Sequence, residues 1–81
     1  MDYDKEKVDD TVLALLYLTA WNDHHGRRAW KGHDWNSLDR LHHKAYISDP
    51  KSKAKSVVIT DEGWARAEQL FRQFFGAHPP G

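Results

Sequence analysis

Residues 12–18 are apolar almost without a break. A strand competes for so short a run, but the flanking segment is long and rich in Ala and Leu. That favours a buried central helix over residues 4–21. Acidic side chains crowd its amino end, which suits the positive pole of a helix dipole. Residues 22–26 form a polar break with Gly26 as a stop signal. Residues 27–32 read as a short strand or an irregular connector around Ala29 and Trp30. Gly32 and His33 lead to Asp34, a good N-cap. Trp35, Leu38 and Leu41 recur at threefold spacing, and Leu38, His42 and Ala45 extend the face, predicting a short amphipathic helix over 35–44.

The period then changes. Tyr46, Ile47 and Ser48 begin a strand, and Val57, Val58 and Ile59 make its return. Asp49 and Pro50 signal a turn, and the loop is too long for a tight hairpin, so it reads as a wing. Thr60 is an N-cap with Asp61 and Glu62 in the first turn behind it, and Ile59 and Trp64 occupy the positions of a hydrophobic staple. Trp64, Ala67, Phe71 and Phe74 share one face of the last helix, widened by Leu70 and Phe75, and Gly76 is its stop. The expected core is Val12, Leu15, Leu16, Leu38, Leu41, Ile47, Val58, Trp64, Ala67 and Phe71. The expected fold is α+β: three helices and a two-stranded wing, with a third short strand open at 28–31. Residues 1–76 form one domain and 77–81 a flexible tail.

Eighty-one residues are few for independent folding, and the chain has no cysteine, so neither a disulfide nor a thiolate metal site contributes. Stability must come from apolar packing or a partner, and four tryptophans supply unusual material for either. The acidic start lacks a signal peptide's pattern and the apolar run is too short for a bilayer, so a cytoplasmic protein without membrane contact is expected. Net charge is zero, against strong non-specific nucleic-acid binding, but its distribution is uneven. Residues 1–20 balance at −3, residues 21–60 at +4 and residues 61–81 at −1, and five of six histidines lie in the basic middle.

From Leu38 onward the chain resembles bacterial winged helix-turn-helix domains. The residues that carry the likeness are Leu38, Leu41, Lys44, Tyr46, Ile47, Val57, Val58, Ile59, Thr60, Asp61, Glu62 and Gly63. The whole chain also resembles a family of small bacterial proteins of unknown function. The winged-helix resemblance implies a recognition helix at 35–44 and a phosphate-contacting wing. Two departures stand against it. Ala45 replaces the glycine that gives a left-handed helix end. Residues 22–34 are too few, and too rich in glycine, for the positioning helix that major-groove docking needs.

Four groups could carry chemistry. Lys51, Lys53 and Lys55 alternate along the wing and would project to one side toward phosphates, or simply protect a hairpin tip. Asn36, Ser37, Arg40, His43 and Lys44 could face a nucleic acid from the helix, with Asn36 or Arg40 as base readers, although Asp39 would repel phosphate. The pairs His24–His25 and His42–His43 are adjacent, a poor spacing for chelation; His33, Asp34, His24 and Asp23 could converge, but no spacing demands it, so no metal is expected. Trp21, Trp30 and Trp35 flank the connector, and an exposed member would anchor a protein contact. No cysteine nucleophile or phosphate loop appears, and no motif sets a serine beside a histidine and an acid, so neither an enzyme nor a cofactor is expected. The leading expectation is a nucleic-acid-binding module, of regulatory use, with duplex DNA as ligand. The rival is a protein-interaction module that forms a homodimer or holds another protein.

Overall fold

The computed structural model describes residues 1–24 and 26–76. The tail expected over 77–81, and His25 of the first histidine pair, lie outside the described residues. The order of elements is α1 (Lys5–Thr19), β1 (Trp21–Asp23), β2 (Gly26–Trp30), α2 (Trp35–His43), β3 (Ser56–Ile59) and α3 (Asp61–Phe75). The fold is α+β, three helices on a three-stranded antiparallel sheet of order β1-β2-β3. This is consistent with a winged-helix-like arrangement. Among the described residues a hairpin, not a helix, fills the space between α1 and α2.

Helices α2 and α3 start at the expected caps, and Asp4 caps α1 as well. The Asp4 side chain accepts from Lys7 N, Asp34 from Ser37 N and Thr60 from Gly63 N. These caps satisfy donors that a helix start leaves open. Helix α1 ends two residues before the expected boundary, because Ala20 is extended and Trp21 enters β1. There Trp21 meets Trp30 across the hairpin, with ring centroids 4.7 Å apart. Gly26, at φ +115°, starts the return strand in a backbone region that side chains disfavour.

Strand β3 lies between β2 and residues 46–48. On one side Ala29 pairs with Val57 and Arg27 with Ile59. On the other, the strand expected at 46–48 is reduced to a single bridge between Ile47 and Ile59. The cause is local. Ser48 N donates to Val58 O at 2.9 Å, but Val58 N donates to the Ser48 hydroxyl at 2.8 Å instead of a backbone carbonyl. The ladder stops there and Asp49–Pro50 turns the chain away.

Six expected core residues are buried: Val12, Leu16, Leu38, Leu41, Ile47 and Ala67. Leu13, Ala14, Ala29, Val57, Ile59 and Leu70 complete the core. Two corrections follow from period. Val57 and Ile59 face the helices, so Val58 points to the other face of the sheet and is only half-buried. On α1, Leu13 and Ala14 are buried while Leu15 is half-buried. Trp64 and Phe71 are also half-buried and lie at the rim against Tyr17, with centroids 4.5 and 5.3 Å from its ring.

The join between α2 and β3's neighbour is tightly built. Tyr46 N donates to Leu41 O and Ala45 N to His42 O, the paired bonds of a Schellman helix end. Ala45 sits at φ +64° in the position that usually holds glycine, so the left-handed turn forms despite the substitution. Thr60 Oγ1 donates to Ala45 O at 2.8 Å and holds this turn against α3. Gly63 of α3 lies directly against it: a Cβ there would stand 2.0 Å from Tyr46 O.

Candidate nucleic-acid interface

The basic side chains of α2 are engaged within the fold. Asp9 is fully buried on α1, and Arg40 grips it with two hydrogen bonds of 2.6 and 2.8 Å. Ser37, also buried, accepts from Arg40 at 3.4 Å and donates to Asp34, so a polar chain runs from the α2 cap to α1. The hydrogen bond that Arg40 donates to Asp9 is the main cause that holds its guanidinium above its usual pKa. Arg40 therefore stays charged, but its charge is directed inward. Lys44 reaches Glu6 of α1 at 2.9 Å. Asn36 is exposed, and Ser37, which the helix face was expected to offer, is buried.

The histidines of α2 face backbone. His42 Nδ1 donates to Ile47 O at 3.1 Å and His43 Nδ1 to Asp39 O at 2.7 Å. Burial lowers the pKa of His33. Among the described residues no three His, Asp or Glu side chains converge as a metal site.

The wing presents a different chemistry. Asp49 Oδ1 accepts from Lys51 N at 2.9 Å, a turn in which the side chain mimics backbone. Pro50 is buried, and Lys31 Nζ donates to Pro50 O and Ser52 O at 2.7 Å each. Lys31 N also donates to Lys55 O at 3.1 Å. Thus Lys31, just past the end of β2, pins the loop by backbone carbonyls, and among the described residues no acid pairs with its charge. Lys51, Lys53 and Lys55 are exposed, and among the described residues their ammonium groups pair with no acid.

The three tryptophans differ. Trp30 is 58% exposed and Trp35 48%, while Trp21 is half-buried. Trp30 lies opposite Ser56, the residue that follows the last wing lysine. Trp21, Arg28, Trp30, Ser56 and Val58 share the sheet face opposite the helices. Arg28 holds this face together by donating to the Ser56 hydroxyl at 2.9 Å and lying 3.7 Å from Asp23.

Two residues that organise this surface were not singled out from sequence. Lys31 gave no signal, because its partners are backbone carbonyls from a distant loop. Asp9 did: it shares helical spacing with Val12, Leu13 and Leu16, so it sits on the buried face of α1.

No helix among the described residues is long and apolar enough to cross a membrane. No solved structure matches the chain. An uncharacterised protein, y4hR, of Sinorhizobium fredii (strain NBRC 101917 / NGR234) is 55% identical over 75 residues, covering 93% of this chain and 97% of that protein. The description of neither this relative nor the matching family model names a winged helix. The family model, a domain of unknown function named DUF6429, matches residues 4–77, and the chain belongs to that family.

Proposed function

We propose that this domain is a nucleic-acid-binding module whose phosphate contacts come from the wing rather than from α2. One observation carries the reading. Among the described residues Lys51, Lys53 and Lys55 pair with no acid, while Arg40 and Lys44 face carboxylates on α1. A group of unneutralised lysines on a pinned loop attracts a polyanion and releases its counterions. The zero net charge limits this attraction to one edge, so binding is weak and falls with salt. The reading is of binding without catalysis.

Titration of labelled oligonucleotides, duplex and single-stranded, at rising salt tests it. Binding at low salt that weakens steadily is the expected result; no binding of either form at low salt overturns it. The reading of a protein-interaction module draws on a different observation: Leu18 and Phe75 are exposed in addition to Trp30 and Trp35. Sedimentation across a concentration series would reveal self-association through these side chains.

A further inference from the structure

From the juxtaposition of the Trp21–Trp30 stack and the free wing lysines, we infer that the outer sheet face is a stacking site for unpaired bases of a single-stranded nucleic acid. The inference rests on the nucleic-acid reading above and names its ligand class.

The sheet face is open because α1, α2 and α3 pack on its other side, over Ala29, Val57 and Ile59. Trp30 is the largest exposed group on it, and Trp21 braces it at 4.7 Å with planes tilted by 45°. A braced aromatic ring offers a flat surface at little entropy cost, and every base has a face to lay on it. The charge lies at the same end. Trp30 is opposite Ser56, Lys55 precedes Ser56, and Lys31 ties the two strands by its bond to Lys55 O. A strand whose base stacks on Trp30 therefore runs past the end of the sheet that carries Lys55 and Lys53. Arg28 and Asp23 on the same face pair with each other, so among the described residues the platform carries no opposing free acid.

A duplex fits this surface poorly, because its bases are already stacked and paired. The charges of Arg40 and Lys44, which a major-groove helix would use, are engaged with Asp9 and Glu6. Unpaired bases need neither. The combination of a basic edge and an aromatic platform is how single strands are held without sequence preference.

The test is binding of the full chain to oligothymidylate and to a duplex of equal length at low salt, followed by tryptophan fluorescence. The expected result is tighter binding of the single strand, with quenched emission. Trp30→Leu should weaken single-strand binding about tenfold and leave any duplex binding unchanged, and Trp30→Phe should retain most of it. Leucine keeps an apolar side chain without a ring, and thermal unfolding of each variant verifies its fold. Equal or tighter duplex binding, with Trp30→Leu without effect on either, overturns the stacking site but leaves the nucleic-acid reading standing. Failure of both oligonucleotides to bind overturns both. A change in sedimentation on Trp30→Leu without any oligonucleotide binding also overturns both and assigns the face to a protein contact.

Discussion

Ala45 and Gly63 are neighbours across the turn that joins α2 to the sheet, and their backbones make opposite demands. Ala45 is at φ +64°, a region where a Cβ crowds the following carbonyl and costs about 1–2 kcal/mol. Its side chain is exposed, so nothing is packed on it. Ala45→Gly should therefore raise stability by up to about 1 kcal/mol, part of the gain being offset by the freer unfolded chain. Chemical denaturation measures it, and a fall in stability would mean that the strain is absent. Gly63→Ala should act in the other direction. Alanine favours a helix by about 1 kcal/mol over glycine. Here, however, the added methyl would meet the Tyr46 carbonyl, which accepts from Thr60 N at 3.0 Å. Backbone cannot rotate away as a side chain does, and a net loss of about 2 kcal/mol or more is expected. A neutral or stabilised Gly63→Ala would refute the close approach. The departure from glycine at Ala45 was readable in sequence. The demand at Gly63 was not, since only the tertiary fold brings Tyr46 against α3.

At the scale of elements, α1 and α2 are joined by a polar contact inside an apolar interface. Asp9 is fully buried and the Arg40 side chain is 31% exposed, so the pair is sheltered on the carboxylate side. Loss of one partner leaves a charge that the interior cannot solvate. Arg40→Met alone should cost about 2–3 kcal/mol, and Asp9→Leu combined with Arg40→Met should recover most of that. Strictly additive losses in unfolding experiments would show that the two side chains do not act together. The elements themselves were largely legible. Helix periodicity, with the caps at Asp34 and Thr60, places α1, α2 and α3 within two residues of their ends, because capping is local chemistry. The sheet was less legible. β1 lies in a polar break with no alternation to mark it, and it forms because Trp21 meets Trp30. The strand at 46–48 has the right residues but forms only one bridge, because a serine hydroxyl takes a backbone role. The wing lysines were readable as a basic edge. That Arg40 is turned inward was not, since its partner lies 31 residues away.

Across the whole molecule, charge is arranged so that the acidic start neutralises the basic second helix. Asp9 and Glu6 of α1 take Arg40 and Lys44, Arg27 and Arg28 lie beside Asp61 and Asp23, and what remains of the basic middle is the wing with Lys31 at its base. A chain with zero net charge thereby keeps one basic edge, beside its most exposed tryptophan, Trp30. The direct test of this account is the salt dependence of oligothymidylate binding by the parent chain and by Lys51→Ala/Lys53→Ala/Lys55→Ala. If the three lysines contact phosphates, the parent's log K should fall with log salt at a slope of about −2, from roughly 0.7 released counterions per contact. The triple variant should bind more weakly at low salt, with a slope near zero. An unchanged slope in the triple variant, or a parent that does not bind at all, would contradict the account.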